Sequence, residues 1–257
     1  MQTTRRNAIL GSLAIGLAAH PIIGCASPPP GATRVHVMGT IHSNHLRSER
    51  YSLAVLEAAI RKAAPDVILT EIPPDRIGQA LKSFAETGVI DEPRTEVFPE
   101  YTDVVFPLSR ELPFEIVGTA GWTQAIADNR REALDRIAND PARTAEWAEH
   151  RAAERAYARE LAGRGDDPRF IHTEAFDRLV EASRTPYQRH FDKDLGAGGW
   201  TGINAAHTGH INAALDAISG EGRRALVTYG TAHKYMILRS LAERDDVVIE
   251  DTRALFA

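Results

Sequence analysis

The sequence predicts an α/β fold with a mainly parallel central sheet, built from βαβ units and covered at the carboxyl edge of its strands by a helical insertion. Two observations predict it. Short β-rich segments alternate with segments whose apolar residues recur at helical spacing, as parallel strands joined by helices require. The 257 residues are 43% apolar and 25% charged, the balance of an ordinary globular protein. We therefore expect one domain with an insertion.

The first βαβ unit is predicted over residues 34–70. Residues 34–38 alternate as a strand does, and residues 48–64 carry apolar side chains at helical spacing until Pro65 ends the helix. Residues 66–70 form a second strand of the buried type, which is closed by Glu71. Strands connected in this way are parallel, with a right-handed crossover.

Three further strands and one more helix complete the predicted sheet. The strands are residues 114–117, 224–229 and 247–249, and the helix at 235–242 joins the last two. The region between the third and fourth strands, about 123–195, is polar and mainly helical. We interpret it as the helical insertion, with solvated outer faces.

The first 24 residues are interpreted as an export leader rather than part of the fold. Arg5 and Arg6 precede an apolar run at residues 9–19 that is too short for a stable bilayer anchor, and together they are similar to a twin-arginine signal. Residues 22–25 resemble a lipobox, the tetrapeptide that ends at the lipidated cysteine of bacterial lipoproteins. The sequence thus predicts lipidation of Cys25.

The lipobox implies a domain organisation and a location. Residues 25–32 would be the lipidated cysteine with a proline-rich tether, and residues 33–257 the α/β domain. The mature protein would be attached to a membrane through Cys25, on the periplasmic side or at the outer membrane. Because Cys25 is the only cysteine, no intrachain disulfide is expected. The net charge of −5 argues against nucleic acid as a partner.

Three residues suited to acid/base or metal chemistry follow the ends of predicted strands. His42 follows the first strand, Glu71 ends the second, and His233 follows the fourth. Ligand sites of open parallel sheets lie beyond the carboxyl ends of the strands, where such residues meet. Both histidines stand three residues after a glycine, Gly39 or Gly230, which we expect to let the chain turn sharply off the strand.

A second histidine pair lies ahead of the fourth strand. His207 and His210 are three residues apart and could share one face of a helix, a spacing that suits a metal or an anion. An exposed helix edge explains the same pair equally well.

These motifs resemble those of a known superfamily. The chain resembles the superfamily of the TraB/PrgY proteins, the TIKI proteases, the erythromycin esterases and the ChaN-like lipoproteins. The resemblance lies in a strand leading into Gly-x-x-His, a helix, the segment Pro-Asp-Val-Ile-Leu-Thr-Glu, and a late strand leading into a second Gly-x-x-His. The matching blocks are residues 35–76 and 204–248. The resemblance implies one polar pocket that contains both histidines and the glutamate, metal-dependent in the TIKI branch and hydrolytic in the TIKI and esterase members.

The resemblance carries over to individual positions, with one departure. The matched residues are Gly39, His42, Glu71, Gly230 and His233, and Arg76 would be a charge partner of Glu71. Many relatives have an Arg-Asn pair where this chain has Ile203-Asn204. We expect His207 or His210 to replace the missing arginine. Together with Asn204 and Arg76, these two histidines are the candidates for substrate binding.

Two functions from different classes follow from the resemblance. The first is an exported hydrolase of peptide or ester bonds, in which His42, His233 and Glu71 hold Mn, Zn or Co that polarises a carbonyl and activates water. In this version Glu71 is either a third ligand or the general base, and the sequence does not choose between the two roles. A metal-free version would use His42 as the base, oriented by Glu71 and assisted by His233. The second is a ChaN-like lipoprotein that captures haem, iron or another ligand without catalysis. Haem capture would require exposed ligands on an apolar surface.

Overall fold

The structure of the protein, a computed structural model, describes residues 29–257. It has a five-stranded sheet in which all the paired strands are parallel, in the order β3-β2-β4-β1-β5. The α/β fold that the sequence predicts is confirmed. The strands are β1 Thr33–Thr40, β2 Val67–Thr70, β3 Glu115–Gly118, β4 Arg224–Gly230 and β5 Val247–Ile249.

Helices make up most of the remaining described chain. A π-helical turn at Glu100–Val105 leads directly into α3, and 3-10 turns lie at His42–Leu46, Pro141–Arg143, Gly196–Gly198 and Thr252–Phe256. The α-helices are α1 Leu53–Ala63, α2 Pro74–Thr87, α3 Phe106–Leu108, α4 Gln124–Asn139, α5 Thr144–Leu161, α6 Pro168–Ile171, α7 Glu174–Leu195, α8 Trp200–Asp216 and α9 Lys234–Leu241.

The two faces of the sheet bury separate apolar clusters. Val35 and Val37 of β1 point to the face that α8 and α9 cover, whereas Met38 points to the face covered by α1, α2 and the segment at 100–108. Strand side chains alternate between faces, so the near-continuous apolar runs of β2 and β4 satisfy both clusters at once.

The order of the strands differs from the simplest expectation. The strands of the first βαβ unit, β1 and β2, are parallel as predicted, but β4 lies between them and pairs with both. The chain leaves β1 through α1 on one face, and it leaves the neighbouring β4 through α9 on the other. Chain directions therefore diverge at the carboxyl ends of β1 and β4, which is the point where open parallel sheets bind ligands.

The helical insertion lies over this carboxyl edge, as the sequence predicts. His172 Nε2, in the loop between α6 and α7, accepts a hydrogen bond from Gly39 N–H of β1 at 2.9 Å. The buried Lys234 Nζ, at the start of α9, donates to both carboxylate oxygens of Asp177 on α7, at 2.6 and 2.7 Å. These two links hold the insertion against the ends of β1 and β4.

The amino-terminal end of the described chain is part of the fold. Residues 29–32 were expected to belong to the tether, but Ala32 N–H donates to Pro29 O, and Gly31 O accepts from Gly222 N–H before β4. The chain therefore already contacts the domain at Gly31, two residues before β1 begins. The predicted leader and Cys25 lie outside the described residues. No helix within residues 29–257 is long and apolar enough to span a membrane.

Candidate active site

The ends of β1 and β4 form the floor of a cleft with a volume of about 560 Å³. Its wall is provided by the insertion, through the end of α5 and the loop that follows. Glu71 lies beneath the floor, close to both histidines of the cleft. The structure thus brings His42, Glu71 and His233 together, as the sequence predicts. The lining includes Thr40, His42, Asn44, Tyr157, Asp166 and His233.

His42 links the cleft to the protein interior. Its side chain is 37% exposed, and its Nδ1–H donates to Glu100 Oε1 at 2.6 Å. The Nε2 atom lies 4.0 Å from Glu71 Oε2. His42 has a φ of 49°, in the left-handed region that non-glycine residues rarely adopt. Such local strain concentrates at functional sites, and here it accompanies the placement of the imidazole between two carboxylates.

Glu100 is a residue of the site that the strand-end pattern does not predict. It is fully buried, and its Oε1 also accepts a hydrogen bond from Thr40 Oγ1 at 2.9 Å. Residue 100 begins a π-helical turn, an element frequent at functional sites. Glu100 follows no strand, so its position in the sequence gives no sign of its place in the site.

The pKa values of His42 and Glu100 move apart. Burial lowers the pKa of His42, but the hydrogen bond and charge of Glu100 and the charge of Glu71 outweigh burial and raise it above its usual value. Burial raises the pKa of Glu100, but the hydrogen bond and charge of His42 outweigh burial and lower it. The Glu100 carboxylate therefore makes the His42 imidazole a stronger base than a free imidazole.

Glu71 is oriented by backbone and phenol groups. Gly230 N–H donates to Glu71 Oε2 at 2.7 Å, and Glu71 N–H donates to Tyr101 Oη at 2.8 Å. The Tyr101 hydroxyl in turn donates to Thr228 O of β4. Burial raises the pKa of the Glu71 carboxyl, and the charge of His42 and the Gly230 bond oppose this effect. The carboxylate is thus fixed, with one oxygen towards each histidine.

His233 presents a lone pair to Glu71. Its Nδ1–H donates to Asn204 Oδ1 at 2.8 Å, which leaves Nε2 unprotonated at 3.8 Å from Glu71 Oε1. Burial lowers the pKa of His233 well below its usual value, so the ring is neutral. The ring is also held by stacking on Trp200, with ring centroids 4.9 Å apart.

Asn204 serves His233 rather than a substrate. It is buried in α8, and its Nδ2 donates to Trp200 O at 2.7 Å, which orients the Oδ1 towards His233. The prediction that Asn204 binds substrate is therefore wrong. Its buried position instead fixes the tautomer of a histidine at the floor of the cleft.

His207 and His210 do not act as a pair. His207 is fully buried, and its ring lies 4.8 Å from that of His233, whereas His210 is exposed. Gly121 N–H donates to His207 Nδ1 at 2.8 Å, and burial lowers the pKa of His207 to about 3. The neutral ring therefore carries its proton on Nε2, which has no hydrogen-bond partner among residues 29–257.

The two glycines of the Gly-x-x-His motifs serve close packing rather than sharp turns. Both lie inside strands, and neither has a positive φ. A Cβ atom at Gly230 would lie 2.5 Å from His42 Nε2 and 3.4 Å from Glu71 Oε2. A Cβ at Gly39 would lie 3.2 Å from Thr231. The expected role in turning the chain is wrong, because the space above each glycine is occupied by site residues or their neighbours.

Arg76 lies away from the site. It stands at the start of α2, 40% exposed, and its Nε lies 3.5 Å from Asp75 Oδ2. The expectation that Arg76 pairs with Glu71 is not met, because α2 begins at Pro74 and carries the arginine outward.

Glu71, His207 and His233 could hold a metal ion, since each offers one ligand atom and the three atoms lie within 4.8 Å of one another. Glu71 and His233 fit this role with an oxygen and a free Nε2 lone pair. His207 would have to release either its Nε2 proton or the Gly121 bond before it could bind. The predicted set contained His42 in place of His207, but His42 approaches the opposite oxygen of Glu71.

The arrangement can bind and move protons. With both Nδ1 atoms donating, His42 Nε2, His233 Nε2 and the carboxylate of Glu71 are three acceptors that face one another. Such a set attracts a cation, a proton or the hydrogens of a water molecule. The chain matches no protein-family model, no curated protein and no solved structure.

Proposed function

We propose that the protein is an exported, lipid-anchored hydrolase of peptide or ester bonds, of the TraB/TIKI type, with His42 as its general base. The observation that carries the proposal is the position of His42, whose Nδ1 contacts the buried Glu100 and whose Nε2 faces the cleft beside Glu71. A buried carboxylate that orients a histidine towards an accessible cleft is the arrangement that general-base catalysis requires.

The proton path runs through His42. A water molecule in the cleft would give a proton to His42 Nε2 as its oxygen attacks the carbonyl carbon of the substrate. The Glu100 carboxylate, held by Thr40 Oγ1–H, would stabilise the imidazolium that forms. The same imidazolium can then protonate the leaving nitrogen or oxygen as the scissile bond breaks. The raised pKa of His42 is consistent with this exchange.

Glu71 and His233 would form the second half of the site. Glu71 and His233, with His207, would hold Mn, Zn or Co, which when bound supplies Lewis-acid polarisation of a carbonyl and lowers the pKa of water. Gly230 N–H and Asn204 Oδ1 keep the carboxylate and the imidazole aimed at the same point. Such outer contacts typically matter nearly as much as the ligands themselves.

The first test of the proposal is a screen of ester and peptide hydrolysis with Glu100→Gln. We expect activity to fall about 10²- to 10⁴-fold, because the amide cannot stabilise the imidazolium of His42. The control is Glu92→Gln, which alters another fully buried glutamate whose carboxylate contacts Thr95 rather than the site. Equal activity in both variants would exclude His42 as a base supported by Glu100.

The second test is the metal content of residues 26–257 after chelation and reloading. Stoichiometric metal that is lost in His233→Ala and kept in His42→Ala would assign the ion to the Glu71, His207 and His233 group. Loss in both variants would place His42 among the ligands. Metal-free protein that still hydrolyses substrate supports the His42 base alone. Metal-free protein without hydrolysis that binds haem in a spectroscopic titration would favour the ligand-capture function.

A further inference from the structure

Two arginines of the insertion lie close to His233 without an acidic partner. Arg130 on α4 and Arg184 on α7 are both half-buried. Neither lies within 4.0 Å of a carboxylate among residues 29–257, whereas the half-buried Arg143 and Arg244 each pair with two. A partly buried guanidinium without a carboxylate partner can exchange its remaining water contacts for the oxygen atoms of an anion.

Both guanidiniums lie over aromatic rings. The Arg184 guanidinium lies over the Trp200 ring, 4.9 Å from its centroid, and Trp200 itself stacks on His233. The Arg130 guanidinium lies 5.8 Å from the centroid of Tyr187 and 6.0 Å from that of Trp122. Burial is the main cause of the low pKa of His233, but the charges of Arg184 and Arg130 also lower it, as expected for cations near this ring.

Hydrogen-bond donors without partners also indicate an anion-binding site near these arginines. Arg184 Nε is buried and has no hydrogen-bond partner in the described part of the chain. Arg130 Nε–H uses only the hydroxyl of Tyr187, at 3.1 Å. The carboxylate of the neighbouring Asp192 is not available to these donors, because it accepts hydrogen bonds from backbone N–H groups in the first turn of α8. Buried donors without acceptors are rare in folded proteins, so this side of His233 is prepared for oxygen atoms that carry negative charge.

We propose that the substrate carries an oxyanion group, a carboxylate or a phosphate, which binds to Arg130 and Arg184 on the Trp200 side of His233. This inference rests on the proposed hydrolase function, for which it names the substrate class. An anionic group held there would place the rest of the substrate over His233 and Glu71. Planar guanidiniums stacked on aromatic rings are well suited to such groups, because they keep their donors fixed in one plane.

The test is calorimetric titration of the protein with inorganic phosphate and, separately, with acetate, at low ionic strength. We expect at least one anion to bind, and each of Arg184→Gln and Arg130→Gln to weaken its binding about tenfold or more. Tighter binding of phosphate would assign a phosphate-bearing substrate, and tighter binding of acetate a carboxylate.

Matched controls lie on the same two helices. Arg178→Gln removes an exposed arginine of α7 that pairs with Glu174, and Arg131→Gln an exposed arginine of α4 that pairs with Asp128. Both should bind the anion within about twofold of wild type, and thermal unfolding should show that all four variants are folded. Failure of both anions to bind wild type, or unchanged binding in Arg184→Gln and Arg130→Gln, would overturn the proposal. Anion binding without hydrolysis would overturn the catalytic function alone.

Discussion

At the scale of single residues, Gly230 sets the distance between two halves of the site. Its N–H binds Glu71, and the space where its side chain would stand is filled by the ring of His42. Since a Cβ would come within 2.5 Å of His42 Nε2, we expect Gly230→Ala to displace the imidazole and reduce hydrolysis about 10²-fold, as misplacement of a catalytic group by an ångström can do. Steady-state kinetics on the folded variant measures this loss.

The matched control is Gly209→Ala, because Gly209 lies in α8 and a Cβ added there would have no neighbouring atom within 4 Å. That variant should keep full activity and gain about 0.5–1 kcal/mol in the free energy of unfolding, since alanine is the better helix former. Equal activity of Gly230→Ala and Gly209→Ala would show that hydrolysis does not depend on the observed position of His42.

The sequence alone predicts some residues of the site but not others, and this difference has a physical cause. His42, Glu71 and His233 could be predicted because parallel strands bring their carboxyl ends to one edge, whatever the loops do. Glu100 stands 58 positions after His42 in the chain, and only tertiary packing brings them together. The roles of Asn204 and Arg184 likewise depend on how α7 and α8 pack, which periodicity does not encode.

At the scale of elements, one histidine carries the contact between the insertion and β1. His172 Nδ1–H donates to Pro168 O, which leaves Nε2 unprotonated to accept from Gly39 N–H. Burial lowers the pKa of His172 to about 3, whereas an unfolded chain has the usual value near 6.5. Between these values the unfolded state binds a proton that the folded state does not, so stability is complete above pH 6.5 and falls as the pH falls towards 3.

We expect His172→Gln to remove this part of the pH dependence. An amide oxygen can still accept from Gly39 N–H, but it takes up no proton in this range. As the pH is lowered from roughly 6 to 4, the free energy of unfolding should fall more steeply for wild type than for the variant. The expected difference between the two slopes is about 1.4 kcal/mol per pH unit. Urea unfolding across that range measures both slopes. Parallel curves would show that His172 is protonated in the folded protein.

The order of the strands in the sheet could not be predicted from the individual segments. All five strands were predictable as short apolar segments between helices or turns, but β4 lies between β1 and β2 despite being more than 150 residues from either. Segments with apolar residues on both faces fit any central position of a parallel sheet equally well. Contacts between the insertion and the sheet, such as that of Lys234 with Asp177, join residues that are far apart in the chain and are not encoded in the individual strand segments.

In the whole molecule, the described chain enters the sheet at the end of β1 that lies opposite the cleft. The described chain enters the sheet at Thr33, and the cleft begins where β1 ends, at Thr40. Eight strand residues at about 3.3 Å each separate the two ends by roughly 25 Å. Only three residues separate Cys25 from the first described residue, Pro29, so the predicted lipid would be attached within a few residues of this end of the sheet.

This geometry makes membrane attachment and site function separable. We expect Cys25→Ser to move the exported protein from the membrane fraction to the soluble fraction, because the thiol is the predicted point of acylation. Anion binding and hydrolysis by the released protein should match wild type, since the tether enters at the far end of the sheet from His42. Fractionation with labelling by a fatty-acid analogue measures the first effect, and Ser27→Ala is the control that keeps the cysteine. A Cys25→Ser protein that stays in the membrane fraction would rule out the lipid as the anchor and leave a surface of the folded domain to account for the attachment.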